Sequence, residues 1–324
     1  MSAEPEEDVA RLYRREPRSG LYQLQRRMQT RLGNAIVLWM GRRLQNIPPG
    51  PGHRLGAALG TAMRLLSPRH HQIVLTNLRL AFGAEKTEAE LRAIAAACYR
   101  HLGKCLMEFI RLPAMTPEQI RCVTHLHGRE HLDAALAAGR GAILLTGHLG
   151  NWEMVGARLA ADGYPLNVIA RSQRDEALTQ YIVRTREAVG MRVFDRDAAV
   201  RPSLSALRRN ELVGILLDQN AGDDGLFVDF FGRPASTAAG AAAFALRTGA
   251  AVLPTFGFRR PDDTHDIRID APVPLIRTGD RAEDLRANTA HFTKIIENAI
   301  RACPEQWFWL HKRWKSRPPR PGAP

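Results

Sequence analysis

Apolar and polar positions along this chain follow two rhythms, and the change between them falls near residue 115. From Leu21 onward, Leu24, Met28, Leu32, Ile36, Met40 and Leu44 recur at helical spacing, with Arg26, Arg27, Arg31, Arg42 and Arg43 gathered around the stripe. This predicts a basic amphipathic helix with Trp39 near one end, either lying in a membrane interface or packed on the body of the protein. Pro48-Pro49-Gly50-Pro51-Gly52 breaks the chain, and Gly56 to Leu66 predicts another short apolar helix. Thr87 stands three residues before Glu90, a helix-start pairing, and Leu91, Ile94, Cys98, Leu102, Cys105 and Phe109 follow on one face until Pro113 ends the run.

Past that point the period changes. Short apolar runs at 142–146, 166–170, 212–217 and 251–256 alternate with helical stretches near 152–162, 176–189, 198–209, 238–248 and 281–302. Such alternation predicts an α/β fold, a mostly parallel central sheet flanked by helices, preceded by an N-terminal helical, membrane-associating region. The expected organisation is a flexible stretch over 1–20, a helical lead-in over 21–115 and an α/β domain over 116–315. A Pro/Arg/Gly-rich disordered tail then covers 316–324.

Charge narrows the partners. The chain has 324 residues, and 46 Lys and Arg against 33 Asp and Glu leave a net charge of +13, which suits anionic lipid head groups or an acidic partner. Nucleic acid is not an expected partner, because the basic residues are spread along the chain, aromatics make up only 6%, and no nucleic-acid motif is present. The four cysteines form no C-x-x-C pair, so they read as free or buried thiols in a reducing compartment. No apolar run reaches the roughly 18–20 residues a membrane span needs. The acidic start (Glu4, Glu6, Glu7, Asp8) is not a secretory signal. The expectation is a protein bound to a membrane surface without crossing it.

The chemistry concentrates at Ala142-Ile143-Leu144-Leu145-Thr146-Gly147-His148-Leu149-Gly150-Asn151-Trp152-Glu153. A strand ends at a glycine and presents a histidine, with a carboxylate five positions on to orient its ring, the layout of a general base. Spacing alone does not select it. With 11 histidines and 33 acids in 324 residues, chance supplies about one such pair, and the chain has three: His125/Glu130, His148/Glu153 and His265/Asp270. His125 sits in a polar run with no apolar strand before it, and His265 and Asp270 lie in an alternating segment that reads as a half-exposed edge strand. Only His148 follows a continuous apolar run between flanking glycines, at a strand's carboxyl end, where sites form in parallel sheets. No Gly-x-Ser-x-Gly elbow or metal-spaced cluster is present, so a hydrolase is disfavoured and no metal is expected. The pattern points to a transferase whose nucleophile belongs to the substrate.

Gly147 to Glu153 resembles the signature of the bacterial lipid A biosynthesis acyltransferases, the late lauroyl/myristoyl-transferring enzymes. Further blocks resemble that family in order. Asn77-Leu78-Arg79-Leu80-Ala81-Phe82 resembles its helical lead-in. Asp218-Gln219-Asn220 with Phe227 to Thr237 resembles its second block, Pro254 its strand-ending proline, and Pro304 to Trp314 its C-terminal signature. The resemblance spans roughly residues 20–317.

It implies an O-acyltransferase in which His148 is the base and Glu153 its partner, acting on a hydroxyl of a lipid A precursor. The donor would be a fatty acyl thioester on acyl carrier protein or coenzyme A, with no other cofactor. The implied place is the cytoplasmic face of the inner membrane, held to its anionic surface as a peripheral or monotopic protein. Arg171, just past the expected strand Leu166–Ala170, is the candidate oxyanion donor, with the backbone N–H groups of Gly150 and Asn151 beside it. Asn151, Trp152, Asp218 and Gln219 are candidates for substrate binding, and Arg233 and Thr237 for holding a phosphate. Trp307, Trp309 and Trp314 read as packing, and His311 as structural. Two alternatives stay open: an acyltransferase acting on another glycolipid, such as a phosphatidylinositol mannoside, or on a phospholipid, and a non-catalytic basic membrane-binding protein.

Overall fold

A computed structural model describes residues 32–318 apart from 33, 37, 42 and 174. The expected loose stretch 1–20, the first part of the amphipathic helix from Leu21, and residues 319–324 lie outside the described residues. Between residues 32 and 43 the described positions are helical. Three long helices follow: α1 (Pro49–Leu66), α2 (Pro68–Phe82) and α3 (Glu88–Arg111). Helix α1 starts seven residues before the predicted Gly56, because Pro49 and Pro51 fall in its first turn, where a helix needs no backbone N–H donor. The Thr87–Glu90 capping box opens α3, and a 3-10 turn over Leu112–Ala114 closes it.

After α4 (Pro117–Cys122) come β1 (Thr124–His127), α5 (Arg129–Ala137), β2 (Ala142–Thr146), α6 (Trp152–Ala161), β3 (Leu166–Ala170), α7 (Glu176–Ala188), β4 (Arg192–Asp195), α8 (Val200–Arg208) and β5 (Leu212–Leu216). The chain then forms β6 (Leu226–Phe230), β7 (Arg233–Thr237), α9 (Gly240–Thr248), β8 (Ala251–Arg259), β9 (His265–Ile269) and α10 (Arg281–Ala302).

Seven strands make one sheet in the order β1-β9-β8-β2-β5-β3-β4, parallel at every pairing except β8 with β9, while β6 and β7 form a separate antiparallel hairpin. Strand β2 is buried at all five positions, as a central parallel strand covered on both faces must be. Ile143 and Leu145 pack on one face with Val213, Val252 and Phe256; Ala142 and Leu144 pack on the other with Leu212, Val155 and Leu159.

Two strand expectations change. The segment from His265 is not an edge strand: β9 lies between β8 and β1, and the polar run holding His125 supplies the edge strand β1. Pro254 does not end its strand. It sits inside β8, at the register where pairing with β2 stops and pairing with β9 begins, a point where its missing N–H costs no ladder bond.

Strand order places a crevice. From β2 the chain moves through α6 toward β3 and β4; from β5 it moves through the hairpin and α9 to β8, on the other side of β2. The connections leaving β2 and β5 therefore part in opposite directions, and between two such neighbours open α/β sheets form their sites.

Candidate active site

His148 follows β2 and Asp218 follows β5, so the register pairing Thr146 with Leu216 brings both to the mouth of that crevice. His148 Nδ1 lies 2.8 Å from Asp218 Oδ1. Gly147 permits this approach, since a Cβ there would stand 3.1 Å from Asp218 Cγ. Asp218 Oδ2 accepts the His148 backbone N–H at 2.7 Å and the Trp307 indole N–H at 2.6 Å. A carboxylate only accepts, so Nδ1 carries the proton and Nε2 keeps its lone pair, which faces the Gln219 side-chain amide at 3.3 Å. Burial alone pushes the Asp218 carboxyl up, but the His148 ring beside it and the three donated hydrogen bonds hold it down, to about 2. The histidine side chain is 22% exposed and the aspartate 1%, so the ring is reachable while its partner is sealed off.

The acid expected to orient His148 is thus the wrong one. Glu153 is the second residue of α6, which directs its carboxylate away from the ring. It takes Arg186 of α7 in two bonds of 2.7 and 3.0 Å and the Trp152 indole N–H at 2.9 Å. Trp152 meets the His148 ring edge to face at 4.9 Å, so Glu153 is linked to that ring through the indole.

The loop is fixed from behind. Gly150 sits at φ +59°, and its N–H donates to Gln306 O at 2.9 Å. The Asn151 N–H donates to Gly257 O at 2.8 Å. These two N–H groups, expected as oxyanion donors, are therefore already spent. The Phe308 N–H reaches the His148 carbonyl at 2.9 Å, which ties the Pro304–Trp314 block directly to the histidine loop. Asn151 is buried; its Oδ1 caps α6 by accepting the N–H groups of Glu153 and Met154, and its amide donates to Glu108. It builds the loop and is closed to substrate.

Other candidates scatter. Arg171 stands exposed on the rim of a cleft floored by Ile182, Val183 and Val193, with β5 between its strand and that of His148. No hydrogen bond joins the two among the described residues. Arg233 donates to Leu80 O at 3.2 Å, and Thr237 is buried with its hydroxyl taken by Arg313 and Ala235 O. Thr237 is thereby closed to a phosphate, and Arg233 is anchored to the lead-in helix α2 through its Nε. Gln219 and Trp152, in contrast, flank the His148 ring.

Sequence reasoning missed Arg186, Glu108, Arg259 and Arg313. Arg313 is fully buried beneath the site, donating to Ser236 O and Gln219 O, and burial pushes its guanidinium down to about 10. Its place between Trp309 and Trp314, both buried, is the one local signal that this arginine points inward. His311, also from this block, accepts the Asn220 N–H at 2.9 Å, and burial pushes its ring down to about 4.

Comparison with known proteins adds an independent line. Residues 22–316 match the family of bacterial lipid A biosynthesis acyltransferases. A phosphatidylinositol mannoside acyltransferase of Mycobacterium tuberculosis (strain CDC 1551 / Oshkosh) is 34% identical over 235 residues, covering 68% of this chain and 70% of the relative. The lipid A biosynthesis lauroyltransferase of Escherichia coli (strain K12) is 28% identical over 284 residues, covering 87% and 90%. The lipid A biosynthesis palmitoleoyltransferase of the same strain is 27% identical over 267 residues, covering 82% and 85%.

Proposed function

Because this chain belongs to the bacterial lipid A biosynthesis acyltransferase family and is an acyltransferase acting on a glycolipid, we propose that it moves a fatty acyl chain from an acyl thioester to a hydroxyl of a lipid A precursor, with His148 as general base. The observation that carries the reading is the buried Asp218 on His148 Nδ1, which leaves Nε2 as an acceptor at the crevice mouth, facing the Gln219 amide.

The steps follow from that tautomer. The acceptor hydroxyl displaces the Gln219 amide from Nε2 and gives up its proton there as its oxygen attacks the thioester carbonyl. Asp218, ionised throughout the working range, stabilises the imidazolium that forms. The tetrahedral intermediate collapses with cleavage of the C–S bond, and the proton returns from Nε2 to the departing sulfur. A C–O bond has formed, a C–S bond has broken, and no acyl-enzyme is needed. Gln219, beside the base, is positioned to donate to the developing oxyanion in place of the spent loop amides. The donor is acyl carrier protein or coenzyme A carrying the chain, with no further cofactor.

The proposed setting is the anionic cytoplasmic face of the inner membrane. No helix among the described residues is long and apolar enough to cross a membrane. Leu32, Ile36 and Trp39 are exposed at helical spacing, and Leu65 and Leu66 are exposed at the end of α1, which supports association with a bilayer surface. A second acceptor, a phosphatidylinositol mannoside, is favoured by the 34% identity to the mycobacterial enzyme.

The test is mass spectrometry of both acceptors after incubation with lauroyl-acyl carrier protein or lauroyl-coenzyme A, with wild type and His148→Ala. A mass gain on the lipid A precursor, lost in the variant, is expected. Undiminished transfer by His148→Ala sinks the mechanism, and a gain on the mannoside alone replaces the acceptor.

A further inference from the structure

Behind the His148 loop lies a buried cluster that the reaction above does not use. Glu108 comes from α3, in the helical lead-in, and is 5% exposed. Its Oε1 accepts from His53 Nε2 at 2.9 Å, His265 Nε2 at 3.1 Å and Arg259 Nη1 at 2.6 Å. Its Oε2 accepts from Asn151 Nδ2 at 2.6 Å and Arg259 Nη2 at 2.5 Å. A carboxylate sealed from water is tolerated only when countercharge and hydrogen bonds satisfy it, and here five donors do so. Burial pushes the Glu108 carboxyl up, but the His265 ring, the His53 bond and the Arg259 fork together hold it well below the usual range.

A second tether runs beside the first. His101 Nε2 donates to Gly150 O at 3.0 Å, while its Nδ1 accepts from Arg259 Nε at 3.3 Å. A guanidinium only donates, so the tautomer is fixed and the ring is neutral, in line with burial pushing it down to about 3.

Asn151 is where the cluster reaches the loop. The two ends of its amide are engaged differently, Oδ1 capping α6 while Nδ2 is held by Glu108. Rotating that amide would break the cap and free the last residues before α6, three positions from the base. Reaction rates are sensitive to such movement, because a misplacement of about 1 Å costs roughly a hundredfold.

We propose that Glu108 is a positioning residue: by gripping the Asn151 amide, with Arg259 as its countercharge, it locks the His148 loop to the lead-in helices in the geometry the base requires. This rests on His148 being the base. It goes further in assigning the lead-in, through α3, a direct part in the rate of the reaction. If Glu108 served only to neutralise Arg259, cutting its link to Asn151 would leave turnover unchanged.

The test is steady-state kinetics of the full chain with lauroyl-coenzyme A or lauroyl-acyl carrier protein and the acceptor found above, on Asn151→Ser, Glu108→Gln, the double variant and His148→Ala. Serine keeps an oxygen for the helix cap but drops the donor to Glu108. Glutamine keeps the size of Glu108 but loses its charge and half its accepting capacity. Each single variant is expected to lower kcat by roughly 10- to 100-fold with the donor KM little changed, and the double variant to lose no more than the worse single. A folded Asn151→Ser with wild-type kcat overturns the proposal, as does a double variant whose loss is the product of the two. Should Glu108→Gln fail to fold, Asn151→Ser decides alone. If His148→Ala is inactive and Asn151→Ser is normal, only the positioning role falls; an active His148→Ala removes the base and the positioning role with it.

Discussion

His148 Nδ1 is 2.8 Å from Asp218 Oδ1, although 70 residues separate the two, whereas Glu153, five residues from the histidine, gives both carboxylate oxygens to Arg186. The orienting acid therefore comes across the sheet, and the acid of the local motif joins two helices. Removing the two carboxylates is therefore expected to have different effects.

Asp218→Asn removes the better of two tautomers. An amide offers one accepting oxygen where the carboxylate serves three donors, so its NH2 group must face the His148 or Trp307 N–H. The imidazole then turns its proton to Nε2, and the base is lost. The expected fall in kcat is roughly 10⁴-fold, as for other histidine bases deprived of their aspartate. Pre-steady-state release of thiol from the donor measures it, and a loss under tenfold would mean that Asp218 does not set the tautomer.

Glu153→Gln should break the link between α6 and α7 and loosen the indole that packs on the His148 ring. A pair this well shielded should cost about 1–3 kcal/mol of stability. Activity should fall about tenfold, far less than for Asp218→Asn. Thermal unfolding and kinetics on Glu153→Gln, Arg186→Gln and the double variant separate the two effects. A rate loss as deep as that of Asp218→Asn would return Glu153 to the role of partner to His148.

Acid stability should show two windows. The His311 ring is held down to about 4 from its ordinary 6.5, so between those values the unfolded chain takes a proton that the folded chain refuses, and stability falls as pH drops from 6.5 to 4. Asp218 is held down to about 2 from 3.8, so its contribution is intact above 3.8 and is lost as pH falls toward 2. His311→Gln, which still offers an oxygen to the Asn220 N–H, should reduce the upper slope without abolishing it, because the buried His101 ring, held down to about 3, refuses a proton over the same range; the Asp218 window should remain. Melting temperatures across pH 7 to 3 read this out; an unchanged upper slope would assign it to another group.

Leu65 and Leu66, 66% and 82% exposed beside Arg64 and Arg69, are the clearest apolar contact for a bilayer among the described residues. Leu65→Glu/Leu66→Glu should reduce sedimentation with anionic vesicles about tenfold or more, through lost burial and added like-charge repulsion. Unchanged binding would place the membrane contact elsewhere, with the helix around Trp39 as the next segment to alter.

Much of the site was legible because it is local. Near-continuous apolar runs specified β2 and β5, since a strand covered on both faces has few polar positions to alternate with, and largely apolar runs marked β3 and β8. Gly147 and Gly150 marked the turn, and the strand's carboxyl end marked His148. The short edge strand β1, the strand β4 and the β6–β7 hairpin were not legible, because their burial is partial and their residues carry no clean period. Asp218 was visible as a residue at a strand end, but not as the partner of His148.

The sequence by itself determined that a histidine leaves a buried strand at a sharp turn, followed by a helix whose first turn holds an acid. Tertiary structure decided which acid serves it. Helix geometry swings Glu153 away along α6, and parallel pairing of β2 with β5 sets Asp218 opposite the histidine in a register that no local period encodes. It also decided what holds the loop, because Glu108, Arg259 and Trp307 reach it from three distant segments. Buried charge must find its partners wherever the fold brings them, and the chain's linear order does not record that meeting.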